Sequence, residues 1–199
     1  MTAPRYPVDI RPLAPRARFE AAGHPDALPA ALRAAGLVLP LRPNTSADSG
    51  AMVRVDWLGP RRFVVSAPMD AEDRLANSLL PVFAGFERAD VCCTTDMVAS
   101  FELLGAGVAD VLAQGTPLDV SSAAFAAGSV TVTDLWGVAA VIERPGGAAD
   151  CLRVTVDRSL AGYVEGWLRT ASGLHSPLQP GVMRTARADV PPSRKGTRP

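Results

Sequence analysis

The sequence predicts an α+β fold built from mostly antiparallel strands with packed helices. Three observations lead there. Strand-like runs occur in adjacent pairs joined by tight turns, "MVRVDWL" with "RFVVSA" and "SVTVTDLW" with "GVAAVIE". Helical periodicity follows these pairs; it does not alternate singly with strands as in a doubly wound sheet. Apolar residues make up 48% of the 199, enough for a core, yet no unbroken apolar run approaches the roughly 18 residues of a membrane span.

Residues 1–50 read as a Pro/Ala-rich N-terminal extension with one short helix over 26–35, and "LRPNTSADSG" (41–50) as an exposed loop. The main domain is expected over 51–173. Strands over 52–58 and 62–67 are joined at Gly59-Pro60. Asp70 is placed to cap a helix over 71–83, with Glu72 and Asp73 in the first turn and Leu75, Leu79, Leu80 and Phe83 on one face. Strands over 89–94 and 98–104 come next, then a short helix with Val108, Val111 and Leu112 at i, i+3, i+4. Strands over 129–136, 137–143 and 151–156 follow. Asp157 then caps the clearest amphipathic helix, whose Leu160, Tyr163, Val164, Trp167, Leu168 and Ala171 share one face before Gly173 stops it. The segment 174–199 is basic and Pro-rich, with Arg184, Arg187, Arg194, Lys195 and Arg198 against Asp189, and disorder is expected there.

The inventory of reactive groups is thin. His24 and His175 are the only histidines, and both fall in the expected flanks, which argues against a triad or a His-based metal site. Cys92, Cys93 and Cys151 lack metal or disulfide-scaffold spacing and read as small buried side chains. Gly105-Ala106-Gly107 between a strand and a helix resembles the start of a dinucleotide fingerprint, with Asp134 as a ribose acid. Asp110, however, stands at the third glycine position, where a carboxylate would repel a pyrophosphate. Asp96 and Asp119 are the acids best placed for general acid–base work, and both are read first as turn formers. Arg61 and Arg62 at the hairpin tip read as a solvated turn, with partner contact as the second possibility. Zero formal net charge argues against nucleic acid as the main partner, and the N-terminus lacks a secretory apolar region, so a cytoplasmic protein is expected.

"WLGPRRFVV", "FELLGAGVADVLAQGTPLDV" and "VDRSLAGYVEGWL", in this order and over about residues 52–172, resemble the gamma subunit of heterotetrameric sarcosine oxidase. That family lies within the aminomethyltransferase (glycine-cleavage T-protein) superfamily of folate-binding folds. The most specific pieces are Gly115-Thr116-Pro117-Leu118-Asp119 after a short helix, and Arg158-Ser159 opening the helix that carries Tyr163 and Trp167. The family commonly has Cys where Thr116 stands.

The resemblance implies an aminomethyltransferase folate-binding-domain-like fold. Gly115, Pro117 and Asp119 then form a structural turn, and no catalytic, cofactor-binding or metal residue lies on this chain. It implies a non-catalytic subunit packing on an alpha subunit, in a complex with beta and delta subunits. That complex demethylates sarcosine to glycine and passes the one-carbon unit to tetrahydrofolate, with FAD, FMN, NAD, tetrahydrofolate and zinc held by the other subunits. Partner contacts are expected among Arg61, Arg62, Trp136, Arg158 and Tyr163; Trp57 and Trp167 are further aromatic candidates. For all four aromatic residues, core burial is the first expectation. A stand-alone folate-binding or aminomethyltransferase-like protein remains the alternative; it would need Asp96 or Asp119 at a closed pocket.

Overall fold

The computed structural model describes residues 6–50, 52–147 and 150–174. Among them, ten strands form two five-stranded antiparallel sheets. The first sheet runs β3 (Ser46–Asp48), β4 (Arg54–Gly59), β5 (Arg62–Ala67), β2 (Ala17–Gly23) and β6 (Ala89–Cys93) in spatial order. The second runs β1 (Asp9–Pro12), β7 (Val98–Leu104), β10 (Cys151–Asp157), β9 (Val138–Glu143) and β8 (Val130–Leu135). No described helix is long and apolar enough to cross a membrane.

Each sheet has its own helices and core. Helices α1 (Ala27–Ala34) and α2 (Glu72–Phe83) bury Leu28, Leu32, Leu75 and Leu79 against Phe19, Val55, Phe63 and Val65 of the first sheet. Helices α3 (Val108–Leu112) and α4 (Ala161–Ala171) bury Val111, Leu112, Val164 and Leu168 against Phe101, Leu103, Ile142 and Leu152 of the second. Strand alternation leaves the opposite faces of both sheets polar, and these faces turn toward each other. Leu58, Val64, Val130 and Val141 join them in a small apolar contact. Beside it, Arg54 bridges the sheets by pairing with Asp56 at 2.8 Å and Glu143 at 3.1 Å.

The reading of residues 1–50 as an extension does not hold. β2 pairs with β5 on one side and β6 on the other, so it is an interior strand of the first sheet, and β1 adds an edge strand beside β7. Clustered prolines hid both; Pro12 is tolerated because β1 lies at a sheet edge, where a missing donor costs little. The helix expected at 26–35 forms over 27–34. Helix α2 begins after a short turn at Met69–Ala71 without a side-chain cap, so Asp70 does not play the role expected of it. Asp157 does, accepting the Ser159 N–H at 2.8 Å. The stretch 174–199 lies outside the described residues apart from Leu174, and His175 with it.

Candidate functional site

The turn "GTPLD" is held by contacts on all sides. Trp136 and Gly137 form the two-residue link between β8 and β9, both with positive φ (51° and 82°). That geometry suits the right-handed twist of the strands, though a Trp adopts it rarely. It lays the indole of Trp136 over Gly115: a Cβ built on Gly115 would come within 2.3–2.6 Å of three indole atoms. The Trp136 N–H donates to the Gly115 carbonyl at 2.8 Å. Gly115 therefore serves close approach, and its φ is not positive. Thr116 is buried, shares a hydrogen bond with the Thr133 hydroxyl at 3.0 Å, and accepts the Leu118 N–H at 3.2 Å. Asp119 accepts the Ser121 N–H at 2.9 Å, and the bonds from Ser121 hold its carboxyl below the ordinary value.

From this turn an aromatic face extends onto α4. The Trp136 and Trp167 rings stack with centroids 6.1 Å apart, Tyr163 meets Trp167 edge-on at 6.3 Å, and the Tyr163 hydroxyl donates to the Trp136 carbonyl at 2.9 Å. Tyr163 remains 47% and Trp167 40% exposed. Core burial fails for these two because Val164, Leu168 and Ala171 already fill the stripe of α4 that faces the sheet. Trp57 and Trp136 are half-buried, and Trp57 stacks on Phe63 at 5.3 Å.

The other expected contact residues lie elsewhere. Arg158 donates to the Asp96 carbonyl at 2.6 Å, tying the turn before β7 to the start of α4. Asp96 itself is a fully exposed turn residue. Arg61 is exposed and donates to the Gly23 carbonyl at 3.3 Å. Arg62 is not a solvated turn residue. It faces the other sheet and grips Glu20 at 2.8 and 2.9 Å.

Arg62 and Glu20 line a cleft of about 260 Å³ between the sheets, with Arg18 and Thr94 on the same wall. Val132, Val141 and Thr155 stand opposite, and Met97 also lines the cleft. Arg18 and Glu20 went unremarked in the sequence, although "ARFEA" (17–21) alternates apolar and polar residues as a half-buried strand does.

The remaining candidates have packing roles. Tyr6 and Pro7 cross over Gly105 and Gly107: a Cβ on Gly105 would lie 2.3 Å from the Pro7 carbonyl oxygen, and one on Gly107 2.8 Å from the Tyr6 Cβ. The space a pyrophosphate would take is filled by the chain itself. Cys151 is buried, but Cys92 and Cys93 are exposed because β6 is an edge strand. Glu72 accepts from the Thr95 hydroxyl at 2.5 Å and the Cys93 thiol at 3.3 Å, which keeps its carboxyl below the ordinary value. His24 sits within the fold, its N–H on the Arg88 carbonyl at 2.8 Å. Among the described residues, no three His, Cys, Asp or Glu side chains gather as a metal set.

Comparison with known proteins gives a consistent picture. Residues 18–174 match the model of the sarcosine oxidase, gamma subunit family. A chain of the heterotetrameric sarcosine oxidase from Corynebacterium sp. U-96, solved in complex with pyrrole 2-carboxylate, is similar at 24% identity and a TM-score of 0.75, over 89% of this chain and 90% of that one. The glycine cleavage system aminomethyltransferase T from Bartonella henselae is similar at 15% identity and a TM-score of 0.60, over 85% of this chain and 50% of that one. Both likenesses are of fold. No curated protein matches the chain.

Proposed function

Because the chain belongs to the sarcosine oxidase, gamma subunit family, we propose that it is a non-catalytic subunit of a sarcosine-oxidase-type heterotetramer, packing on the alpha subunit. The complex oxidatively demethylates sarcosine to glycine in the cytoplasm and delivers the one-carbon unit to tetrahydrofolate. Its alpha and beta subunits hold FAD, FMN, NAD and the folate, and its delta subunit holds zinc. The contribution of this chain is a rigid surface.

The observation that carries this reading is the aromatic face in which half-buried Trp136 backs the exposed rings of Tyr163 and Trp167. Stacked aromatic side chains fixed by a backbone hydrogen bond lose little entropy on association, and Trp and Tyr dominate the energetics of many interfaces. Of the two acids weighed for chemistry, Asp119 is held by Ser121 in a turn and Asp96 is fully exposed outside the cleft. The stand-alone alternative draws on the aminomethyltransferase likeness, which is one of fold.

Immobilised full-length chain is expected to capture the large flavoprotein subunit. Trp167→Ala should weaken that capture by about thirtyfold or more, while lowering the stability of the chain by about 2–4 kcal/mol for the lost burial and stacking, with circular dichroism verifying that the variant is folded. Undiminished capture by this variant would place the contact on another face.

A further inference from the structure

The layer between the two sheets is rich in arginine, and nearly every guanidinium there has a carboxylate. Arg62 holds Glu20 through two nitrogens, Arg54 holds Asp56 and Glu143, and Arg153 holds Glu102 at 3.1 Å and Glu143 at 3.5 Å. Arg18 differs. It projects from β2 into the cleft, on the face opposite Phe19 and Ala21, and is only 9% exposed. Its backbone is fully engaged, with the N–H on the Thr95 hydroxyl and the carbonyl receiving the Thr94 N–H. Its guanidinium forms no hydrogen bond or ion pair among the described residues. Burial pushes its pKa down, opposed by the nearby Glu20 and reinforced by Arg62. A guanidinium nevertheless stays charged in a protein, so the cleft holds a desolvated cation whose neighbouring carboxylate is already taken.

We propose that the inter-sheet cleft is a binding site for a small monocarboxylate with an apolar body, the carboxylate seated on Arg18 and the body against Val132, Val141 and Met97. The planar fork of a guanidinium matches a carboxylate in two parallel hydrogen bonds. A more highly charged anion fits less well, because the carboxylates of Glu20 and Asp157 also line the cleft, the latter held by Ser159. The opposite wall offers Val132 and Val141 beside the Thr155 hydroxyl, and Val132 and Met97 are exposed hydrophobic side chains without a covering partner in the fold. At about 260 Å³ the cleft lies below the roughly 300–1,000 Å³ usual for drug-sized ligands, which limits the occupant to a small metabolite. This site is independent of the aromatic face and of the subunit reading.

The test uses 4-fluorobenzoate, with 4-fluorobenzyl alcohol as its uncharged counterpart, followed by fluorine NMR on the full chain and on whatever assembly it co-purifies with. Saturable binding of the acid and at least about tenfold weaker binding of the alcohol are expected. Arg18→Gln should reduce affinity for the acid by about tenfold or more, towards that of the alcohol. Val132→Phe, which fills the cleft from the other wall with Arg18 untouched, should block it too; circular dichroism verifies that each variant is folded. If Arg18→Gln does not fold, Val132→Phe carries the comparison. Absence of saturable binding to the wild-type chain, or equal binding by a folded variant, would overturn the proposal.

Discussion

At the scale of single residues, Gly115 shows how a motif legible in sequence can have a different cause from the one first assigned. Its place after a helix suggests a stop signal, but the indole of Trp136, twenty-one residues downstream, is what forbids a side chain there. Gly115→Ala is expected to cost about 1–3 kcal/mol through overpacking, seen as a lower Tm with changed tryptophan fluorescence as Trp136 leaves its stack. An unchanged Tm would mean the indole does not rest on this glycine. The turn-forming role of Asp119 was visible locally because it depends only on a neighbour two residues away. Arg62 was not, because the Glu20 that redefines it lies forty-two residues upstream.

At the scale of elements, the strands and helices from 52 to 173 were legible because their periodicity is strong and their turns carry Gly, Pro and Asp. Helix α4 was found by its pattern, yet the six apolar positions assigned to one face divide in the structure. Val164, Leu168 and Ala171 pack on the sheet, while Tyr163 and Trp167 form a second stripe toward Trp136. Periodicity identifies an apolar arc; it does not say how much of that arc the neighbouring element can cover. The main omission was β2, and with it the wall of the cleft. Its alternation of Ala17, Phe19 and Ala21 with Arg18 and Glu20 spans only a few residues among prolines. Because β2 supplies the pairing partner of both β5 and β6, deleting residues 1–23 should abolish folding. Circular dichroism would check this, and a truncated chain with a native-like spectrum and cooperative melting would contradict the assignment of β2 to the interior of the sheet.

At the scale of the whole molecule, two helix-backed sheets meet through their polar faces, with a cleft between them and an aromatic surface exposed beside α4. The ion-pair layer links the sheets through Arg54 and Glu143, and burial is the largest influence on Glu143, pushing its carboxyl upward against the pull of Arg54. The aromatic face spans the β8–β9 turn and the flank of α4, on the only described surface where two tryptophans and a tyrosine come together. A surface of that kind is the expected mark of a subunit. The most direct measurement is recovery of the tagged chain from its native host at moderate salt, with the retained proteins identified by mass spectrometry and the visible spectrum recorded. The account predicts a yellow assembly containing large flavoprotein subunits in near-equal proportion to this chain. A colourless, well-behaved monomer would contradict it.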